Sequence, residues 1–284
     1  MSAGLSREQI ADRLEEAADL LEAQAANPFR VRAYRNASGT VRELRIDLAQ
    51  ILKRDGLEGL IRLPNIGDGI ARAIDEMTHT GRWAQLDRMR GEAEPEELFQ
   101  SVPGIGPQTA RRLQDTLHLD TLEALEIAAH DGRLETVPGI GPRKAASIRA
   151  SLGAMLARRS RRGPQDHDEP QVAILLEVDK TYRAQARDGL LRTIAPRRFN
   201  PSGEAWLPIL HLDQDEWSFT ALYSNTARAH ELGRTHDWVV IYFAKPDGRE
   251  QMRTVVTETH GSLEGKRVVR GREPECRSYY FGQT

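Results

Sequence analysis

The sequence predicts a multidomain chain: an all-α N-terminal half followed by an α+β domain with a mainly antiparallel sheet. Three observations predict it. A hexapeptide, Val102-Pro103-Gly104-Ile105-Gly106-Pro107, returns unchanged as Val137-Pro138-Gly139-Ile140-Gly141-Pro142, with a looser copy at Leu63-Pro64-Asn65-Ile66-Gly67. Up to about residue 156 apolar residues recur at helical spacing, and beyond residue 170 they fall in short β-branched and aromatic runs. Between these regions Arg158, Arg159, Arg161 and Arg162 precede Gly163-Pro164 and Asp166-His167-Asp168-Glu169-Pro170, the composition of a linker. The predicted division is 1–92 for a first helical domain, 93–158 for a second, 159–170 for the linker and 171–284 for the α+β domain.

Taken in order, Ser6 and Gln9 have the spacing of a capping box. They open a helix to about Gln24, with Ile10, Leu14, Ala17 and Leu21 on one face. Asn27-Pro28 caps a second helix, proline being suited to the first helical position. Its expected buried stripe is Phe29, Ala33, Ala37, Val41 and Leu44, with Arg30, Tyr34, Arg35 and Arg42 elsewhere on the cylinder. That basic face is either a solvated surface or a phosphate contact with Tyr34 available for stacking. A third helix near 48–54 and a turn over 57–61 lead to the first Pro-x-x-Gly segment, whose following helix ends at Thr80-Gly81. Residues 82–89 form another helix, and an acidic connector runs through Glu97. Residues 121–130 bridge the two better copies, with Leu122, Leu125 and Ala129 inward, and the last helix runs toward Leu156.

Each of the three copies closes one short helix and opens another with small residues on one face, as in Ile70-Ala71-Arg72-Ala73-Ile74 and Lys144-Ala145-Ala146-Ser147-Ile148. A helix, a glycine turn and a second helix make a helix-hairpin-helix unit, a device for holding a nucleic-acid backbone. Proline fixes φ at the start of the turn, and glycine supplies φ > 0; Asn65 replaces that glycine in the first copy, asparagine being tolerated there. Ile66, Ile105 and Ile140 plug the turns. The later glycines, Gly67, Gly69, Gly106 and Gly141, leave peptide N–H groups at the next helix N-terminus open to a phosphate oxygen. One such segment is an ordinary turn, but three copies with 39 and 35 residues between their last glycines point to nucleic acid.

The formal net charge of −2 neither favours nor excludes that ligand, because cations and anions are segregated along the chain. Arginines cluster at Arg30, Arg32, Arg35, Arg42 and Arg45, and acids at Glu92, Glu94, Glu96 and Glu97. The single cysteine, Cys276, excludes an internal disulfide and a multi-cysteine zinc site. With no apolar run of membrane length and no basic-then-apolar leader, the expectation is a soluble, cytoplasmic protein.

In the last region, 172–176 leads into a short helix over 181–186, and 206–212 with 217–223 form a hairpin around Asp213-Gln214-Asp215. A short helix is expected over 226–232, capped by Ser224 or Asn225, with strands at 238–243, 253–259 and 266–269. Ala195-Pro196-Arg197-Arg198-Phe199-Asn200-Pro201 is a proline-braced basic segment around an aromatic, either a backbone contact for nucleic acid or a rigid connection. His211, His230, His236 and His260 fall near Asp213, Asp215, Asp237 and Glu258 in the chain, without the spacing that marks a metal site.

The region 5–155 resembles the N-terminal part of the DNA polymerase X family, the polymerase beta group. The resemblance rests on Asn27-Pro28-Phe29-Arg30-Val31-Arg32-Ala33-Tyr34-Arg35, on the stretch 63–77, on Thr80-Gly81-Arg82 and on both Val-Pro-Gly-Ile-Gly-Pro segments. It implies that the first hairpin domain binds the 5′-phosphate side of a gap or nick and that the next hairpin grips the other duplex arm. It also implies a sodium or potassium ion on main-chain carbonyls of Leu63 and Ile66, of Val102 and Ile105, and of Val137 and Ile140. The chain departs from the family at two points. The Schiff-base lysine position is Ala73 and the neighbouring phosphate-binding lysine position is Gly69, and an alanine has no amine to attack with. The polymerase palm is not found: Asp213-Gln214-Asp215 has no Gly-Ser helix start before it.

The sequence therefore reads as a non-polymerising DNA-binding protein of repair, without strong sequence preference and with no required cofactor, a sodium or potassium ion at the hairpins being an option. Gly67, Gly69, Gly104, Gly106, Gly139 and Gly141 would present amides, and Arg30, Tyr34, Arg35, Arg111, Arg143 and Lys144 would supply charge and stacking. Its expected partners are duplex, nicked or gapped DNA, with repair proteins on the C-terminal domain and no membrane. Two rival readings stand beside it: a metal-dependent nuclease using Asp213, Asp215, His211 or His236, and a protein-interaction adaptor.

Overall fold

The computed structural model describes residues 5–92, 99–100, 102–117, 119, 122–156, 169–246 and 250–282. The chain divides into two compact units, Met1–Pro164 with Lys245–Glu250, and Gln165–Ala244 with Gln251–Thr284. The first is helical, and the second holds a six-stranded antiparallel sheet with helices. The fold class predicted from the sequence is the one observed.

The first helical region comprises α1 (Arg7–Ala23), α2 (Pro28–Glu43), α3 (Leu48–Ile61), α4 (Asp68–Thr80) and α5 (Ala84–Arg90). Both arms of the capping box form at α1: Gln9 N–H donates to Ser6 Oγ at 3.3 Å, and Ser6 N–H donates to Gln9 Oε1 at 2.9 Å. Such a cap stabilises a helix by about 1 kcal/mol. Ile10, Leu14, Ala17 and Leu21 are all buried, as their spacing predicts. Small side chains at Ala11, Ala18 and Ala37 let α1 and α2 approach closely, and buried Ser38 donates to the Ala11 carbonyl at 2.9 Å.

The expected stripe of α2 is rotated. Val31, Tyr34, Ala37, Ser38 and Val41 face inward, while Phe29 is 75% exposed and Ala33 also faces solvent. The cause is Tyr34, whose ring reaches the core beside buried Trp83 at 5.6 Å and whose hydroxyl donates to Gln85 at 3.2 Å. An aromatic that buries its ring and still satisfies its hydroxyl outweighs a first-turn Phe29 near the helix end. The expected helix near 48–54 and turn over 57–61 form one helical segment, broken at Gly56 (φ 63°).

The tandem region contains α6 (Pro107–Leu117), α7 (Leu122–His130), a 3₁₀ turn (Arg133–Thr136) and α8 (Pro142–Leu156). Leu125 and Ala129 are buried as expected, as are Phe99, Leu113, Leu134, Ile148 and Leu152. The Leu122 side chain, the acidic connector from Glu94 to Glu97 and the arginine cluster 158–162 lie outside the described residues.

In the second unit α9 (Val172–Arg187) is one continuous helix, where the sequence suggested a lead-in and a short helix. Strands β1 (Arg192–Ile194), β2 (Leu207–Gln214), β3 (Trp217–Tyr223), β4 (Val239–Ala244), β5 (Gln251–Thr257) and β6 (Arg267–Val269) form a meander, each pairing with the next. Short α10 (Ala227–Glu231) follows β3, and α11 (Glu273–Phe281) ends the unit. Neither β1 nor α11 was expected. A three-residue strand carries too little alternation to read, whereas Pro274 between Glu273 and Glu275 was a legible helix start.

Buried polar groups bind α9 to the sheet. Asp179, fully buried, receives Arg267 Nη2 at 2.6 Å and Nε at 3.0 Å, and Arg183 Nε at 3.0 Å. Arg267 continues to Asp237 at 2.6 Å and to the Val255 carbonyl at 3.0 Å. Tyr182 stands where the β2–β3 ladder stops, one position beyond the Ile209–Leu222 pair. Pro208 has no N–H to offer there, so the Tyr182 hydroxyl bridges the strands: it accepts from Tyr223 N–H at 2.8 Å and donates to the Pro208 carbonyl at 2.9 Å. Burial drives this phenol well above the ordinary tyrosine range.

Tyr182→Phe should therefore strand a buried N–H and a buried carbonyl, destabilising the unit by about 1–3 kcal/mol. Urea unfolding followed by circular dichroism measures this; a loss below about 0.5 kcal/mol, the lower edge for a made hydrogen bond, would mean that water replaces the hydroxyl.

Candidate nucleic-acid interface

The repeated segments adopt one geometry. Ile66, Ile105 and Ile140 N–H groups donate to the carbonyls of Leu63, Val102 and Val137 at 3.3, 3.0 and 3.0 Å. The third turn residue has positive φ in each copy: Asn65 62°, Gly104 90° and Gly139 81°. Proline second, positive φ third and an i→i+3 hydrogen bond define a type II turn. The isoleucines are buried beneath the turns, as predicted.

The next glycine serves a different purpose. Gly67, Gly106 and Gly141 accept the first helical hydrogen bonds, from Ala71, Ala110 and Ala145 at 2.9, 2.9 and 3.0 Å, so each is an N-cap. Among them only the first turn of α4 begins with a residue other than proline. None of these three glycines needs a positive φ, and a Cβ built on any of them would meet no heavy atom within 4 Å. The fold does not demand glycine there. The open space lies at a helix start, where the first N–H groups have no intrahelical partner and the dipole favours an anion. Gly69 likewise opens onto empty space.

Charge separates the three hairpins. The first turns of α6 and α8 hold no acidic residue. Arg143 is exposed at the start of α8 and Arg111 is exposed on α6. Half-buried Lys144 donates to Thr109 Oγ1 at 2.8 Å, and Arg112 donates to the Pro138 carbonyl at 3.2 Å. The helix after each hairpin of the tandem is thus tied to the other hairpin unit, and the Lys144 partner is a hydroxyl rather than a carboxylate. Arg112 also lies where a Cβ at Gly139 would fall, 2.6 Å away.

The first hairpin is built otherwise. Asp68 opens α4 and takes Arg72 Nε at 2.5 Å and Nη2 at 3.0 Å. A carboxylate already occupies the electropositive helix start and is itself neutralised. Asp68 stands between Gly67 and Gly69 in the sequence, but its pairing with Arg72 emerges only in the structure.

The basic face of α2 is also matched. Arg35 reaches Glu22 at 2.6 Å, Asp19 at 3.0 Å and Glu15 at 3.7 Å, and Arg42 reaches Asp12 at 2.8 Å. Tyr34, expected to be available for stacking, is instead a core residue; burial raises its phenol pKa, opposed by nearby half-buried Arg30. Ala73, the position that resemblance equates with a lysine, is buried.

In the second unit the candidate metal ligands are dispersed. Asp213 is exposed on β2 opposite Ser218, and Asp215 lies in the following turn with φ 55°. His211 meets Thr220 at 3.0 Å, His230 meets Asn225 at 2.6 Å, and His260 meets Thr259 at 2.8 Å. Asp237 binds Arg267, and Glu258 binds Arg270 at 2.6 Å. Among the described residues no group of three or more His, Cys, Asp or Glu is placed to hold a metal ion. The α10 cap is Thr226, whose hydroxyl accepts from Ala229 N–H at 3.2 Å; Ser224 and Asn225, the expected caps, bond to Thr226 and to Arg198 and His230.

Two family models match this chain: a helix-hairpin-helix domain over residues 6–83 and a SAM-like helix-hairpin-helix tandem over residues 96–154. No curated protein matches it significantly. The matched domains mark the N-terminal half as binding DNA without sequence specificity. No helix among the described residues is long and apolar enough to cross a membrane.

Asp68 at the first hairpin generates a two-sided expectation. Asp68→Asn should cost the helix about 0.3–1 kcal/mol of stability by removing an anion from its N-terminus. It should also strengthen DNA binding by roughly two- to fivefold, the same electrostatic energy expressed as affinity. Thermal unfolding and fluorescence anisotropy on one duplex read the two effects; unchanged affinity would show that the carboxylate does not guard this helix start.

Proposed function

We propose that the chain is a DNA-binding protein of repair that holds the backbone of duplex, nicked or gapped DNA mainly through its tandem hairpins. One observation carries the reading: two helix starts, at Gly106 and Gly141, combine a glycine that the fold does not require with a first turn free of acids. Gly104 and Gly139 aim those helix starts, and Arg111, Arg143 and Lys144 add positive charge. The interaction is with phosphate rather than base edges, so it positions without specifying.

The repair context is supported by the resemblance of the first half to the polymerase X group. Ala73 and Gly69, standing where that group has lysines, support a protein without Schiff-base lyase chemistry. Asp213-Gln214-Asp215, with no Gly-Ser helix start before it, supports one without nucleotidyl transfer. At each hairpin a sodium or potassium ion would be held by main-chain carbonyls: Val102 with Ile105, Val137 with Ile140, and Leu63 with Ile66. The Leu63, Val102 and Val137 oxygens each accept one turn hydrogen bond, which leaves a second lone pair for a cation. Such an ion supplies positive charge between carbonyl and phosphate. The C-terminal unit is where a repair partner would dock.

The decisive experiment is Gly106→Ala with Gly141→Ala in the full chain. Neither methyl meets protein atoms, and alanine in place of a glycine N-cap costs the helix about 1 kcal/mol or less. Affinity for duplex DNA should nevertheless fall by roughly tenfold or more, since two charge-assisted contacts are disturbed. The log–log salt slope should flatten by about one to two. Unaltered affinity would sink the hairpin reading and favour the adaptor. A labelled gap carrying a 5′-phosphate, compared with intact duplex, reads end recognition: tighter binding to the gap is expected if the first domain retains that role.

A further inference from the structure

The C-terminal unit holds a chain of rings that neither its core nor the hairpins account for. Within 195–201 there are two arginines and no acid, and the aromatic at the centre, Phe199, has a positive φ of 53°. Any residue with a Cβ resists that conformation, so it persists only where its surroundings enforce it. The enforcement is visible. Asn225 Nδ2 donates to the Arg198 carbonyl at 3.0 Å, and Asn200 Nδ2 donates to the Glu204 carbonyl at 2.8 Å, pinning the backbone on either side of Phe199. The outcome is an aromatic ring that remains 47% exposed.

Behind it the support is continuous. The His230 ring lies 4.4 Å from the Phe199 ring, centre to centre, at 36°. With Asn225 donating to Arg198, its Oδ1 accepts from His230 Nε2 at 2.6 Å, which fixes the imidazole tautomer. Burial, aided by Arg198, lowers the His230 pKa, so the ring is neutral near neutral pH. Trp206 meets His230 at 6.5 Å and His236 at 6.4 Å. The Arg198 guanidinium lies 5.3 Å from the centre of the Phe199 ring.

We propose that Phe199, backed by His230 and flanked by Arg198, is a stacking platform for an unpaired nucleotide of single-stranded DNA. The ring offers a sequence-tolerant π face, and Arg198 offers charge to the phosphate or joins the stack. Duplex bases are already stacked on one another, so the platform selects unpaired ones. A strained backbone that turns an aromatic outward beside arginines is the reverse of what a core anchor needs. The choice of DNA rests on the reading of the hairpins as DNA binders.

The test uses the full chain, labelled oligo-dT and a labelled duplex, with anisotropy and thermal unfolding measured together. Phe199→Gly removes the ring but suits the positive φ, so the melting temperature should hold or rise. Affinity for oligo-dT should fall by about five- to 150-fold, the effect of losing one stacked base, while duplex affinity stays unchanged. Phe199→Trp should keep the oligo-dT affinity. No oligo-dT binding by the unaltered chain, or equal affinity after Phe199→Gly, would overturn the platform. So would parallel losses of stability and of both affinities, which would mark Phe199 as structural. Failure of the hairpin reading appears separately, as absent duplex binding by the unaltered chain.

Discussion

A positive φ directly after a proline sets up everything else in the N-terminal half. At Gly104 and Gly139, and at Asn65 in weaker form, it lets the chain reverse and close its i→i+3 hydrogen bond. The reversal buries an isoleucine and places the following glycine as the N-cap of a new helix. A side chain that could not adopt φ > 0 would open the turn, and the helix start would point elsewhere. Turn chemistry at one residue thus fixes the direction of the dipole and amides two residues later, the groups that the proposed phosphate contact would use.

Charge then distinguishes the three helix starts. The first hairpin shares the turn but carries Asp68, already paired with Arg72, while α6 and α8 begin without acids. The arginines of α2 that look like a DNA face in the sequence are matched by acids of α1 across the helix pair. Exposed pairs of this kind contribute little stability, but they remove unmatched positive charge from that surface. The near-zero net charge of the chain conceals this difference between neutralised and open regions.

The second unit solves a different problem, seating one helix on an antiparallel meander. Buried Asp179 and the Tyr182 hydroxyl sit three residues apart on α9, and each satisfies groups on the sheet that would otherwise be orphaned. Removing a partner from such a pair costs far more than the intact pair contributes, so these residues act as registration points. The ring cluster around Phe199 has the opposite character: its backbone is held in a disfavoured conformation and its aromatic is left in solvent.

Local physics was legible in the sequence by itself. The capping box at Ser6 and Gln9, the Asn27-Pro28 helix start, the recurring glycine turns and the change of period after the linker all depend on interactions within a few residues. So does the hairpin strand pair around Asp215. What only the tertiary structure decided depends on neighbours distant in the chain. Tyr34 turned into the core because Trp83 and Gln85 wait there, which rotated the whole stripe of α2. Arg35 and Arg42 lost their free charge to acids on another helix. His211, Asp213 and Asp215 lie close in sequence, yet among the described residues no three His, Cys, Asp or Glu side chains converge on a metal site. Asn225 and His230 joined Phe199 from across a long loop and the β2–β3 hairpin, a juxtaposition that no periodicity encodes.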